Sequence, residues 1–146
     1  MKFAPERSEA QTIRGYGPGW IAVESEKITH SVILGSDGLR LDWDCARFED
    51  LGPAHFATLA AHLAAHLAAH LAAPPAAQAA GRPVEVLLLG SGNRHRFVPA
   101  AWLQPLVALG LALETMNTAA ACRTYNVLAH EGRKVVAALV LEAPAT

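Results

Sequence analysis

The sequence is poor in cysteine: it has only two, Cys45 and Cys122, and they lie far apart in the chain. So few cysteines provide no disulfide framework of the kind that stabilises small secreted domains, and they lack the short spacings of a structural zinc site. The first residues also lack the apolar core of a secretory signal. These absences favour a reducing compartment.

The sequence also lacks an excess of charge of one sign. It has 12 basic and 13 acidic residues, which gives a formal net charge of −1. Proteins that bind nucleic acid or anionic membranes usually carry a basic surface. We therefore expect no nucleic-acid partner.

No segment combines the length and apolarity of a membrane span. The longest candidate, residues 56–73, consists of one phenylalanine, one threonine, three histidines and otherwise alanine and leucine. Alanine is barely apolar, and buried histidines would need polar partners in lipid. We interpret this segment as a helix in water and expect no membrane span.

The composition indicates one globular domain. The 146 residues are 52% hydrophobic and 17% charged, which is enough apolar material for a core. We expect a flexible N-terminus at residues 1–11, a single domain at 12–142 and a short tail at 143–146.

Short alternating segments predict an antiparallel β unit in the N-terminal third. Gly15-Tyr16-Gly17-Pro18-Gly19 is typical of a loop, and it leads into a strand over residues 20–23. Further strands are predicted over residues 27–34 and 39–43, joined by a turn at Ser36-Asp37-Gly38.

The rest of the chain alternates between strand and helix patterns. Strands are predicted over residues 84–89, 111–115 and 134–141, with helices over 99–109 and 117–131 between them. The unbroken apolar run in residues 84–89 indicates a central strand buried on both faces. This order predicts an α/β fold with crossover helices.

A long helix from Pro53 to the residues before Pro74 connects the two halves. It contains a four-residue repeat that places Leu59, Leu63, Leu67 and Leu71 in one stripe and His62, His66 and His70 in another. Two of these imidazoles could hold an adventitious zinc or nickel ion. We favour a plain helix edge and expect no physiological metal. The smooth alanine surface suggests a weak homodimer.

The helix that begins near Asn117 carries the most specific pattern. Asn117 or Thr118 can cap it, and Gly132 can end it. We expect one face, made up of Ala121, Thr124, Tyr125 and Leu128, to be buried, with Thr118, Cys122 and Ala129 at its margin. Arg123, Asn126 and His130 share another arc, which is either solvated or a binding edge.

Cys122 and Arg133 each allow two interpretations. Cys122 could act as a nucleophile beside His95 or His130, but a buried thiol is more common. Arg133 could hold a carboxylate or phosphate, although a structural ion pair with Glu131 or Glu114 is the favoured role. No catalytic set of residues and no cofactor motif is legible.

The sequence Gly90-Ser91-Gly92 follows the best predicted strand. Ligands of open α/β sheets bind outside the carboxyl ends of strands, and glycine allows close approach. The loop matches neither a Walker motif nor a dinucleotide fingerprint. It is either a tight turn or part of a binding site. The candidate ligand- or partner-binding residues are Gly90, Ser91, Gly92, Asn117, Thr118, Arg123 and Asn126.

Four motifs together resemble a small, mostly uncharacterised family. They are Gly15 to Gly19, Leu89 to Gly92, Glu114 to Thr118, and Ala120 to Leu128 with Gly132-Arg133. The family includes bacterial and archaeal proteins, an animal protein associated with adipogenesis and the third of the mitochondrial NADH dehydrogenase alpha-subcomplex (complex I) assembly factors.

The resemblance implies a three-layer α/β domain with a central mixed, largely parallel sheet of about five strands, one of them antiparallel to the rest. It also implies a non-catalytic interaction or assembly module with a protein partner. The alternative is a small-ligand or anion-binding protein, or an enzyme, that uses the glycine loop with Arg123 and Asn126. The chain shows no evident mitochondrial targeting segment, so we expect a cytoplasmic location.

Overall fold

A five-stranded mixed sheet forms the centre of the computed structural model, which describes residues 10–79 and 81–144. The strands in chain order are β1 (Gly15–Gly17), β2 (Trp20–Val23), β3 (Glu26–Ile28), β4 (Val32–Gly35), β5 (Arg40–Asp42), β6 (Val86–Gly90), β7 (Leu113–Met116) and β8 (Val135–Leu139). The central sheet has the order β5-β4-β8-β6-β7. β8, β6 and β7 are parallel, and β4 is antiparallel to both of its neighbours. The expected largely parallel sheet with one reversed strand is confirmed.

Two hydrophobic clusters cover the two faces of this sheet and give the domain its three layers. The helices are α1 (Pro53–Leu71), α2 (Pro75–Ala79), α3 (Gln104–Val107) and α4 (Thr118–His130). α1 packs on one face through Phe56, Leu59 and Leu63. α4 and the small sheet β1-β2-β3 pack on the other face. The expected α/β class and three-layer arrangement are confirmed.

β6 lies between β8 and β7 and is buried on both faces, as its apolar run predicts. Leu87 and Leu89 belong to the cluster under α1, whereas Leu88 belongs to the cluster under α4. The hydrogen-bonded strand begins at Val86, although Val84 is also buried.

The N-terminal β unit exists, but its predicted boundaries are wrong in two places. Gly15–Gly17 is the strand β1 and not a loop, because it pairs with β2 in antiparallel register. The single strand expected over residues 27–34 is two strands in different sheets. Ser31 fixes the bend between them: its carbonyl accepts from Trp43 N–H at 3.0 Å, and its hydroxyl accepts from Leu141 N–H at 3.0 Å.

The helix predicted over residues 99–109 is also wrong as one continuous α-helix. The segment forms a 3₁₀ turn at Ala100–Leu103 and then the single turn of α3. Pro105 explains the interruption, since it has no N–H and its ring crowds the carbonyl of the preceding turn. Proline is tolerated where it stands, in the first turn of α3.

The leucine stripe of α1 turns away from the core along the helix. Leu59 and Leu63 are fully buried, Leu67 is half-buried, and Leu71 is 72% exposed. A four-residue repeat overshoots the 3.6-residue turn, so each successive leucine rotates outward.

The three histidines of α1 have different surroundings. His66 bonds Asp37 on the turn between β4 and β5, with 2.8 Å between Nε2 and Oδ2, while His62 is exposed. Within residues 10–79 and 81–144, no group of three or more His, Cys, Asp or Glu side chains could hold a metal ion.

Most of the predicted flexible N-terminus lies outside the described residues, but Gln11 is described and is well held. Its side-chain amide donates to the carbonyls of Gly35 and Leu39 at 2.9 Å each, and its backbone N–H donates to Ser36. In the described part of the chain, no helix has the length and apolarity needed to cross a membrane.

Candidate functional site

The strand ends bring several loops together along one edge of the central sheet, which we call the rim. β8, β6 and β7 all end there because they are parallel. β5 also ends there and β4 begins there, since β4 runs opposite to its two neighbours. Edges of this kind are the usual place for ligands in open α/β sheets.

At the rim, the glycine loop after β6 is joined directly to the start of α4. The Gly92 N–H donates to Thr118 Oγ1, and the Thr118 N–H donates to the Gly92 carbonyl, both at 2.9 Å. The Thr118 hydroxyl in turn donates to the Val140 carbonyl beyond β8 at 2.7 Å. A side chain at Gly90 would meet Thr118 Cα at 3.0 Å. The glycine loop and the start of α4, which both contain candidate binding residues, are therefore in direct contact.

α4 begins with the predicted cap, since Asn117 Oδ1 accepts the Ala120 N–H at 2.8 Å. The N–H groups of Thr118 and Ala121 are also bonded, to Gly92 and Asn117 respectively. An anion at a helix start needs free N–H groups. Much of the hydrogen-bonding capacity of this first turn is therefore used within the chain.

Glu142 is the buried charge at the centre of the rim, and it is only 8% exposed. Its carboxylate accepts from the backbone N–H groups of Phe48 and Asn93, each at 2.8 Å, and from Arg96 Nη2 at 2.8 Å. It therefore ties the loops after β5 and β6 to the chain beyond β8. Burial raises the pKa of Glu142, but these hydrogen bonds outweigh it, so the net effect holds the pKa below its ordinary value of 4.5.

Gly92 is matched to this carboxylate. Its φ is +102°, and a Cβ there would meet the Glu142 carboxyl group. Any other residue at this position would combine a strained backbone with a steric clash.

Arg96 completes the network around Glu142. Its guanidinium also bonds Glu49 at 2.9 Å and the Ser91 carbonyl at 3.1 Å, and it lies 4.5 Å from the centre of the Phe48 ring. Sequence reasoning missed both Glu142 and Arg96. The available signal was that charged residues closely follow the ends of two neighbouring buried strands.

The remaining candidates on α4 hydrogen-bond with the N-terminal part of the chain. Asn126 clamps the backbone of Ile13: Oδ1 accepts its N–H and Nδ2 donates to its carbonyl, both at 2.8 Å. Tyr125 donates its hydroxyl proton to the Gln11 carbonyl at 2.7 Å. Arg123 is exposed, with Nη1 3.5 Å from the Tyr16 hydroxyl. Asn126 thus fixes the N-terminal segment, and Arg123 stands beside Tyr16.

The buried face of α4 is shifted slightly from the predicted one. Ala121, Cys122, Tyr125 and Ala129 are buried, whereas Thr124 and Leu128 are half-buried. Burial raises the pKa of the Cys122 thiol to about 12, which disfavours the nucleophilic thiolate. Arg133 is exposed, and its expected ion pair with Glu131 or Glu114 is not found in the described part of the chain.

Two open cavities adjoin along the rim. The first, which we call the tryptophan cavity, has a volume of about 660 Å³ and is lined by Trp20, Trp43, Lys27 and Asp44 among others. The second, the helix cavity, has a volume of about 440 Å³ and lies against Asn117, Thr118 and Glu142. Both cavities are lined by Pro18, Gly19, Leu141 and Pro144.

Trp20 is held at the wall of the tryptophan cavity by the glycines of β1. A Cβ at Gly17 would meet Trp20 Nε1 at 2.5 Å, and one at Gly15 would meet the same indole at 3.5 Å. The ammonium group of Lys27, an exposed residue, lies 4.9 Å from the centre of the ring. The glycines of the first motif therefore make room for an aromatic side chain.

A family model described as "Protein of unknown function (DUF498/DUF598)" matches residues 13–140. The chain belongs to this DUF498/DUF598 family. Over 93% of its length it is 32% identical to an uncharacterised protein of Rhodobacter capsulatus, of which it covers 89%. The family resemblance inferred from the four motifs is confirmed.

Other relatives extend the DUF498/DUF598 comparison. The human NADH dehydrogenase [ubiquinone] 1 alpha subcomplex assembly factor 3 is 39% identical over 57 residues, which are 39% of this chain and 31% of that protein. The match thus spans about a third of that relative's length. A crystal structure of a Bordetella parapertussis protein has a TM-score of 0.68 at 31% identity, covering 89% of this chain and 94% of that one. A Mth938-like domain of Bordetella pertussis has the same TM-score at 35% identity, covering 92% and 88%.

Proposed function

We propose that this protein is a non-catalytic interaction or assembly module that binds a protein partner through the two adjoining rim cavities. The observation that carries the proposal is the character of this groove. It is open, and the accessible apolar side chains of Trp20 and Pro18 contribute to its lining. Exposed apolar surfaces of this kind on a folded domain favour protein contacts.

The polar groups nearest the groove support the same interpretation. Glu142, Arg96 and Ser91 bond one another or nearby backbone groups, so they stabilise the rim. A catalytic or ligand site would instead leave convergent polar groups available for a guest. The relation to a complex I assembly factor adds support for an assembly role, and a cytoplasmic location remains part of the proposal.

The helix cavity supports the second candidate, a small-ligand or anion-binding function. Its volume of about 440 Å³ is in the range of small-molecule pockets. However, its first-turn N–H groups are mostly used within the chain. Few free donors therefore remain for an anionic guest, so we rank this candidate second.

Quantitative affinity capture from the protein's native cells tests the proposal. The wild type is compared with Trp20→Leu, which removes an aromatic wall of the groove, and with Val127→Ala, an exposed residue that lines neither cavity. We expect the wild type and Val127→Ala to retain the same partner, and Trp20→Leu to lose it. Retention of that partner by Trp20→Leu would contradict binding through the rim.

Mass spectrometry of small molecules retained by the same preparations tests the second candidate. Ligand binding would be favoured if the wild type retains a metabolite that Arg123→Ala does not retain, and if no captured protein is lost on Trp20→Leu. If Arg123→Ala instead unfolds the protein and Arg123→Met does not, Arg123 is a packing residue and gives the second candidate no support.

A further inference from the structure

The chain just beyond Glu142 lines both rim cavities. We call Ala143–Pro144 the tail. Pro144 lines both cavities, and Ala143 lines the tryptophan cavity. Gly19 packs closely against this segment. A Cβ at Gly19 would meet the Glu142 carbonyl oxygen at 2.8 Å and Ala143 Cα at 3.4 Å.

The tail is held much less firmly than the residue before it. Glu142 is buried, and its carboxylate accepts three hydrogen bonds, two from backbone N–H groups and one from Arg96. The tail residues are exposed, and their hydrogen bond within the described part of the chain is long, 3.4 Å from Asn93 Nδ2 to the Ala143 carbonyl. Glu142 is therefore held more firmly than the exposed tail.

We infer that the rim groove receives an extended, uncharged, proline-containing segment of a partner protein, and that the tail occupies part of this place in the free protein. The inference rests on the proposed partner-binding function and names the class of partner segment. The tail is itself an Ala-Pro segment in contact with this groove, so we take it as the example of the kind of segment that fits there.

The lining of the tryptophan cavity has the chemistry that recognises proline. Grooves that bind proline-rich segments are lined by aromatic side chains, which pack against the preformed, low-entropy polyproline conformation. Here the half-buried Trp20 and the exposed Pro18 line the cavity, together with Trp43, which is only 5% exposed. Because Lys27 is exposed, its ammonium group can leave the Trp20 ring at little cost and admit a pyrrolidine ring.

The charges around the groove disfavour a strongly charged segment. Lys27 and Asp44 line the tryptophan cavity with opposite signs, and Glu142 lines the helix cavity already neutralised by Arg96. No single sign dominates, so electrostatic attraction would not select an acidic or basic peptide. Shape and apolar packing remain as the basis of selection.

The test measures peptide binding to the full chain by NMR titration. The probes are two capped peptides, Ala-Pro-Ala-Pro-Ala and Ala-Gly-Ala-Gly-Ala. The proteins are the wild type, Pro144→Gly, which removes the tail's ring, and Ala143→Gly, a matched tail change that keeps the ring. If the tail competes for the groove, Pro144→Gly should bind the proline peptide at least about threefold more tightly than the wild type. The reason is that the groove is unoccupied in a larger fraction of the variant molecules.

We expect Ala143→Gly to resemble the wild type, the glycine peptide to bind none of the proteins, and Trp20→Leu to abolish binding. Thermal unfolding of each variant confirms that it is folded, and Lys27→Ala, which keeps Trp20, should bind at least as well as the wild type. Equal affinity of wild type and Pro144→Gly, equal binding of the two peptides, or no binding at millimolar concentration would each overturn the inference. If the two peptides bind equally but Trp20→Leu still loses the captured partner, the inference fails and the proposed function stands.

Discussion

The two long helices pack on opposite faces of the same sheet, but they use their side chains in different ways. α4 bonds through many of its polar positions: Asn117 caps it, Thr118 joins two loops, and Asn126 clamps Ile13. α1 makes its core contacts mainly through apolar residues of its first half, and its last leucine is exposed. One helix therefore depends on residue identity, whereas the other depends mainly on apolar volume.

This difference gives a physical reason for the specific sequence pattern that α4 carries. Its side chains hold backbone groups of distant segments, and only particular donors and acceptors can do so. A helix of alanine and leucine can change its outer residues while the inner ones still fill the core. Five predictions test the contrast, from the largest expected effect to the smallest.

Gly92→Ala should be the most damaging change at the rim. A side chain there would clash with the Glu142 carboxyl group at a φ of +102°. We expect a loss of about 3–5 kcal/mol in the free energy of unfolding, measured by denaturant titration. The matched control is Gly38→Ala, which has a φ of +108° and nothing within 4 Å. It should lose only about 1–2 kcal/mol, and equal losses would show that the clash is unimportant.

Glu142→Gln should lower the free energy of unfolding by about 2–3 kcal/mol at pH 7, because an amide cannot accept all three hydrogen bonds. The effect should depend on pH. The folded-state pKa of Glu142 lies below 4.5, so its ionised form stabilises the protein above that value. The difference between wild type and variant should shrink as the pH falls below 4.5 and through the lowered pKa.

Chemical denaturation of both proteins from pH 7 to pH 3 provides the measurement. Glu49→Gln is the control, because Glu49 also bonds Arg96 but is far more exposed. A difference between wild type and Glu142→Gln that stays constant with pH would contradict the assigned role of the carboxylate.

Asn126→Ala should lower the free energy of unfolding by about 2 kcal/mol, because it leaves both backbone groups of Ile13 without their partner. Hydrogen exchange at Ile13 should accelerate in this variant. Arg123→Met, three residues earlier and exposed, should leave both the stability and the exchange unchanged. If Asn126→Ala and Arg123→Met have the same effect, the contribution of α4 to stability does not depend on its particular polar contacts, and the contrast with α1 is wrong.

Replacing His62, His66 and His70 together with glutamine should change the stability by less than about 0.5 kcal/mol, because the His66 pair with Asp37 is partly solvated. Thermal unfolding with and without zinc checks this. A zinc-dependent rise of several degrees in the parent, absent from the triple variant, would instead reveal a metal site on α1.

The exposed alanines of α1 should give a weak homodimer that is in equilibrium with monomer. Sedimentation velocity over a range of concentrations measures this. Ala65→Glu, on the outer surface of α1, should abolish the association, whereas Ala112→Glu, exposed but outside α1, should not. A wild type that remains monomeric at millimolar concentration would remove the homodimer from consideration.

Local patterns predicted the elements whose signals lie within a few residues. The start of α4 follows from Asn117 and its end from Gly132, and burial of β6 on both faces follows from its apolar run. The break at Ser31 was not predictable in this way, because the residues on both sides have strand-like character. Its cause is a hydrogen bond to Leu141, which is 110 residues away in the chain.

The same limit applies to the candidate site. The meeting of Gly92 and Thr118 follows from the rule that parallel strands end at the same edge. Glu142 and Arg96 were missed because a charge after a strand usually faces solvent, and their bond joins residues 46 positions apart. Asn126 was assigned to the rim because the helical arc cannot show that Ile13 covers it.

Site-specific photo-crosslinking in native cells tests most directly whether the rim, and not α1, is the partner-binding face. A photoreactive amino acid at Thr29, which lines the tryptophan cavity, is compared with one at His62 on the exposed side of α1. We predict one dominant protein crosslinked from position 29, lost in the Trp20→Leu background, and from position 62 no protein other than a second copy of this chain. A partner crosslinked from position 62 but not from position 29 would contradict binding at the rim.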